Sequence, residues 1–274
     1  MMAELKATVM IDNLSQNGLH KEWGLAVHIE YGDKNILLDT GSTGAFAENA
    51  EMLGVDLGRV DYGVLSHAHY DHSDGMAKFF EKNKKAKFFL REGTKENCYG
   101  SRWIFFKYIG IKKGTLEKYR DRIEYASGDC VLCGGVTLVP HKTENLAAKG
   151  KRAGMFRREN HRRIDEDFSH EQSLVFDTSK GLVIFNSCSH GGADNIINEV
   201  AATFPEKKIY AIIGGFHLFK STEQEVVTLA DGIKKTGIEH VITGHCTGEK
   251  GFEILKRELG NKVEQIYSGY IFEV

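Results

Sequence analysis

Val64-Leu65-Ser66-His67-Ala68-His69-Tyr70-Asp71-His72-Ser73-Asp74-Gly75 places three histidines and an aspartate within six positions, directly after an apolar run. In extended backbone, side chains alternate between faces, so His67 and His69 point the same way. A turn after His69 then returns Asp71 and His72 toward the same volume. Neutral imidazole and carboxylate are ligand types for zinc, manganese and iron. The stretch therefore predicts a metal centre at the end of a strand.

Three further histidines close apolar runs in the same manner. They are His190 after Leu182-Val-Ile-Phe-Asn-Ser-Cys-Ser, His217 after Ile209-Tyr-Ala-Ile-Ile-Gly-Gly-Phe, and His245 after His240-Val-Ile-Thr-Gly. Each is followed by helical spacing. In α/β sheets, sites assemble beyond the carboxyl ends of strands, so these positions can converge on the first cluster.

The chain has 274 residues, a net charge of −2, 41% hydrophobic and 27% charged residues. That composition excludes wholesale disorder and leaves enough chain for a sizeable core. The near-zero charge argues against general affinity for nucleic acid or membranes, and no apolar run reaches the roughly 20 residues of a membrane span. Met1 to Thr8 lacks the basic-then-apolar pattern of a secretory leader. The five cysteines are an odd number, which argues against a disulfide framework and favours a reducing cytoplasm. Cys130-Val-Leu-Cys133 has no second pair to complete a zinc site, and reads as two packed thiols at a strand end.

Short β-rich runs alternate with helical spacing. Strands are expected at Leu5 to Ile11, Gly24 to Tyr31, Ile36 to Leu38, Tyr62 to Leu65 and Ala86 to Leu90. Later ones are expected at 136–139, 173–177, 182–185, 209–213 and 240–242. Helices are expected at 46–53, 76–81, 194–202, 223–235 and 252–258, with Thr222 and Glu225 forming a capping box. Two stretches break the rhythm. Residues 93–127 are aromatic and basic, and residues 141–170 are polar and rich in arginine. Both read as long inserts near a functional site in one layered α/β domain.

The chain resembles the metallo-β-lactamase superfamily of binuclear metal enzymes over nearly its whole length. The resemblance rests on Leu37-Leu38-Asp39-Thr40-Gly41, on His67-x-His69-x-Asp71-His72, and on the later histidines. It implies an αββα sandwich of two mixed sheets flanked by helices, with metals held at one edge between the sheets. His67, His69 and His190 would hold one ion; Asp71, His72 and His245 would hold the other. Asp39 would steady the histidine loop. Zinc is the expected metal, and iron or manganese accept the same ligands. Many members carry a bridging aspartate on a later strand, where this chain ends in Gly214-Gly215-Phe216-His217. His217 then either ligates one metal or faces the substrate while a solvent hydroxide bridges. Ser187-Cys188-Ser189-His190-Gly191, Gly244-His245-Cys246-Thr247-Gly248 and Asp167-Phe168-Ser169-His170-Glu171-Gln172 are similar to one branch. That branch is named after an archaeal synthase joining a dihydropterin-methyl diphosphate to a ribofuranosylaminobenzene phosphate, with release of diphosphate.

The expected activity is metal-dependent hydrolysis of a small anionic, phosphorylated compound. Asp71 is the candidate proton acceptor, and His217 the candidate to bind substrate or protonate a leaving group. Arg157 and Arg158, within the basic run Lys149 to Arg163, suggest a phosphate clamp, and Trp103 suggests a stacking surface for a flat ring. Metal-assisted pterin-methyl transfer is the alternative reaction. A diiron redox protein and a non-catalytic metal-dependent binding module are the remaining readings; the redox one lacks a recognisable flavin domain. Cys188 and Cys246 read as small packed neighbours of the ligands. The aromatic insert also suits a contact between copies in a homo-oligomer.

Overall fold

A computed structural model describes residues 4–102 and 105–274. Two seven-stranded sheets form its centre. The first runs, in spatial order, Ile271–Glu273, Leu5–Ile11, Ala26–Tyr31, Lys34–Leu38, Tyr62–Val64, Lys87–Arg91, Ile123–Ala126. The second runs Val263–Gln265, His240–Gly244, Ile209–Gly215, Gly181–Phe185, Gln172–Thr178, Val136–Pro140, Cys130–Cys133. Both sheets mix parallel and antiparallel neighbours.

Side-chain alternation explains why the sheets stack. In Gly181–Phe185, Val183 and Phe185 join the core between the sheets, while Leu182 and Ile184 join the outer core. Val27, Ile29, Ile36 and Leu38 meet Leu174, Phe176 and Ile213 across the central layer. The outer face of the first sheet is covered by helices Ala45–Met52 and Met76–Lys82, through Phe46, Ala50, Met76 and Phe79. That of the second is covered by Ala193–Thr203, Glu223–Thr236 and Gly248–Leu259. The result is the four-layer αββα sandwich that the sequence predicts. The capping box at Thr222 is present, with Thr222 Oγ1 accepting from Glu225 N and the Glu225 carboxylate accepting from Thr222 N.

The two inserts are not loops. They contribute Cys98–Arg102 and Phe105–Tyr108, and Met155–Glu159 and Arg162–Asp165, to a third, four-stranded sheet. Phe156 pairs with Tyr99 in register, and their rings stack at 5.5 Å. Arg158 lies 4.8 Å over the Tyr99 ring and Arg163 4.2 Å over Phe156. The arginine-rich and aromatic stretches thus satisfy each other by cation–π contact. Sequence periodicity missed this sheet because Met-Phe-Arg-Arg-Glu carries no β-branched residue. Trp103 lies outside the described residues.

Candidate metal centre

Strand Tyr62–Val64 delivers Ser66 to His69 to the sheet edge, and a single helical turn, Tyr70–Ser73, follows at once. The turn carries Asp71 and His72 back over His67, whose ring centre lies 4.2 Å from that of His72 and 4.7 Å from that of His69. The second sheet supplies the rest. His190 follows strand Gly181–Phe185 and packs 5.0 Å from His67 and 5.2 Å from His69. His245 follows His240–Gly244 and packs 4.9 Å from His72. The six residues named from the sequence as ligands therefore meet at one edge between the sheets.

Hydrogen bonds fix which ring nitrogen of four histidines is free. Ser66 Oγ donates to Asp39 Oδ2 at 2.7 Å, so it must accept from His67 Nδ1 at 2.8 Å. His72 Nδ1 donates to Asp39 Oδ2 at 2.8 Å. His190 Nδ1 donates to Glu171 Oε2 at 2.5 Å. His245 Nδ1 donates to Asn13 Oδ1 at 3.0 Å. With every Nδ1 donating, each Nε2 is the nitrogen left to hold a metal or, in its absence, a proton. Those of His67 and His190 are buried without any partner, as is Nε2 of His69. Ligand atoms of His67, His69 and His190 lie within 4.8 Å of one another.

Nε2 of His72 and Nε2 of His245 are only 3.2 Å apart, with Asp71 Oδ2 at 3.8 and 3.6 Å from them. Two lone pairs cannot face each other at that distance unless a proton or a metal cation lies between. Burial works against a charged His72, but Asp71 and Asp39 outweigh it and lift its pKa to about 9. Burial and the neighbouring imidazoles hold His67 and His69 well below the usual histidine value, which keeps them neutral as ligation requires. The donor sets fit two divalent ions, each with three protein ligands of nitrogen and oxygen type.

The backbone is bent to make this edge. Asp39, Phe168, Ser189, His217 and His245 all have φ between 47° and 60°. Five of the chain's nine described non-glycine residues in that region thus gather here, as expected where a site over-determines its backbone. Gly214 and Gly215 let the strand before His217 approach closely. A Cβ on Gly214 would meet Asn186 O at 2.0 Å, and one on Gly215 would meet Cys246 Sγ at 2.5 Å.

His217 sits beside His190, ring centres 4.6 Å apart, with a buried, unpartnered Nδ1. Burial and His190 lower its pKa. It lines a cavity of about 730 Å3 that opens from His190 between Phe168, Lys149, Arg152 and Lys220. Arg157 and Arg158 do not line it. Arg157 is committed to Asp167 at 2.6 Å and Glu166 at 3.3 Å, and Arg158 to the aromatic stack, so neither is free to clamp an anion there. The cavity wall instead carries Lys149 and Lys220, with Arg152 paired to Glu225 at 3.3 Å.

Several residues of the centre were given no role by the sequence, although His170 and Glu171 stand in the branch-like string Asp167–Gln172. Glu171 joins His190 to His141, whose Nε2 is 3.0 Å away, and Glu199 Oε2 lies 3.2 Å from His141 Nδ1. The two carboxylates overcome burial and push His141 up to about 9. His170 Nδ1 accepts from Ala68 N at 3.1 Å, clamping the backbone between two ligands. Its other nitrogen faces Glu166 and Cys98.

Comparison with known proteins agrees with this geometry. Residues 24–148 match the metallo-beta-lactamase superfamily. The crystal structure of Tm1679, described as a metal-dependent hydrolase of the beta-lactamase superfamily, is 30% identical, with a TM-score of 0.85 over 98% of this chain and 99% of that one. The chain belongs to the metallo-β-lactamase superfamily. A Methanocaldococcus jannaschii protein named 7,8-dihydropterin-6-methyl-4-(beta-D-ribofuranosyl)-aminobenzene-5'-phosphate synthase is 29% identical over 256 residues, covering 88% of this chain and 84% of its own. A more remote structure, a diphosphatase of the PhnP family, shares the fold at 14% identity and a TM-score of 0.59, covering 98% of each chain. No helix among the described residues of this superfamily member is long and apolar enough to cross a membrane.

Proposed function

We propose that the protein is a metal-dependent hydrolase of a small phosphorylated compound. The observation that carries this reading is the pair of ligand triads, His67–His69–His190 and Asp71–His72–His245, with His190 lining a cavity whose wall also carries Lys149, Arg152 and Lys220. Bound by these ligands, divalent ions would lower the pKa of water toward neutrality and polarise a phosphoryl oxygen. Zinc is our first choice, with iron or manganese compatible.

The chain's own residues divide the work. Lys149 and Lys220, with Arg152 beside them, draw the anionic substrate into the cavity and guide its phosphoryl group toward the ligand triads. His217, neutral and at the junction of cavity and centre, donates a hydrogen bond to the substrate. Asp71 has a carboxylate oxygen beside His72 and His245 and accepts the proton of the attacking water. Asp39, Glu171 and Asn13 hold three imidazoles in the tautomer that leaves Nε2 free. The described cysteines are all free thiols, which suits a cytoplasmic enzyme. We expect no nucleic-acid or membrane partner; self-association would use the exposed Phe105 and Phe106.

Transfer of a pterin-methyl group is the second reading, favoured by the similarity to the Methanocaldococcus jannaschii synthase. One experiment separates them. The zinc- or manganese-loaded protein is incubated with phosphomonoesters, phosphodiesters and organic diphosphates, and water incorporation is followed with 18O. Incorporation of 18O into product supports hydrolysis. Diphosphate release only when an arylamine acceptor is present supports transfer, and no turnover of any compound by metal-loaded protein refutes both.

A further inference from the structure

The strand that would carry a bridging carboxylate ends in Gly214-Gly215-Phe216-His217, with no acid. Cys188, two residues before His190, lies between the triads instead. Its Sγ is buried and sits 3.3 Å from His72 Nε2. It groups within 4.8 Å with donor atoms of His67 and His72, with those of His190 and His217, and with those of His245 and Cys246. One sulfur therefore reaches histidines of both ligand sets.

We propose that Cys188 is a metal ligand whose thiolate is shared between the two triads. The inference rests on the metal-centre reading above. Its support is geometric. Around a tetrahedral zinc ion with Zn–S near 2.3 Å and Zn–N near 2.0–2.1 Å, the sulfur–nitrogen edge is about 3.5 Å. Cys188 and His72 are already close to that separation, and Nε2 is the His72 nitrogen that Asp39 leaves available for a metal. On ligation the thiol proton passes to solvent, and the anionic sulfur offsets part of the charge of two cations. Cys246 plays a different part. Its Sγ accepts from His217 N at 3.2 Å and lies 3.4 Å from Cys188, backing the ligand from behind. A soft donor at the shared position biases the centre toward zinc or iron and away from manganese.

Cobalt(II) reconstitution tests this without reference to turnover. A bound thiolate gives an intense near-ultraviolet charge-transfer band that nitrogen and oxygen ligands do not. The probe is cobalt(II) alone, added to metal-free full-length protein. The double variant Cys98→Ser/Cys246→Ser leaves Cys188 as the only thiol near the histidines, and the expected result is that it keeps the band. Cys188→Ser is expected to bind cobalt and lose the band; should that variant not fold, the double variant still decides. Cobalt binding by the wild type with no band overturns the Cys188 assignment and leaves the metal centre standing. Loss of the band in the double variant also overturns it. Failure of the wild type to bind any cobalt overturns the metal-centre reading itself.

Discussion

Asp39→Asn is the sharpest test of how the histidine loop is held. Asp39 is fully buried and accepts three hydrogen bonds, from Ser66 N at 2.7 Å, Ser66 Oγ at 2.7 Å and His72 Nδ1 at 2.8 Å. Its φ of 60° is one that asparagine tolerates well, so the substitution tests chemistry and not backbone strain. The amide can be placed two ways. With its oxygen at the Oδ2 position, the new NH2 faces Ser66 N–H, donor against donor. With its oxygen at the Oδ1 position, the NH2 faces His72 Nδ1–H, and His72 escapes only by moving its proton to Nε2, which removes a ligand. Either way one charge-assisted bond is lost, at about 1.5–3 kcal/mol, and one buried donor is left unsatisfied, at about 1–3 kcal/mol. The expected loss in metal-free stability is about 3–5 kcal/mol, read by urea unfolding in the presence of chelator. Affinity for the second metal should fall about 10–100-fold, read by competition with a chromophoric chelator. A variant within about 0.5 kcal/mol of the wild type, binding two ions as tightly, would refute the claim that Asp39 sets the His72 tautomer.

Three further outcomes are expected. His141→Gln leaves Glu171 and Glu199 buried without their cation, and should cost about 3–5 kcal/mol, a drop in Tm on the order of 10 °C by calorimetry. Because His141 titrates near 9 folded and near 6.5 unfolded, its contribution is complete below about pH 6.5 and disappears as pH rises through 9. Urea unfolding of metal-free wild type and variant at pH 6 and 9.5 should therefore show the wider gap at pH 6; a constant gap would contradict the assignment. Lys149→Ala should raise KM for a phosphorylated substrate about tenfold or more with little change in kcat, whereas Arg157→Ala should lower stability and leave KM nearly unchanged. Finally, His69→Ala should remove about one metal equivalent by elemental mass spectrometry, and full retention would exclude it as a ligand.

The layered α/β character was legible because strands buried on both faces read as continuous apolar runs, as in Gly181–Phe185 and Ile209–Gly215, and alternate with helical spacing; the sandwich followed from the family resemblance. The histidine loop was legible because its residues are neighbours in sequence. Its support Asp39 came through the family resemblance, but the supports of the distant histidines were not assigned: Asn13 meets His245 across 232 positions, and Glu171 meets His190 only because two strands pair antiparallel. The arginine run misled for a related reason. A charge run shows its sign but not its partners, and Glu166 and Asp167, which neutralise Arg157, come nine and ten positions later. Of the cavity's own lysines, Lys149 opens that same basic run, whereas Lys220 stands singly and gave no pattern.

The ligand sets draw from both sheets: His67 to His72 from the edge of the first, His190 and His245 from the second. No fragment of the chain presents either complete set, so an ion cannot nucleate this fold as it does in a small zinc finger. It can only latch two halves that have already found each other. Loading would then come last in the protein's maturation, and the finished site's own donors would choose among the metals that surround it.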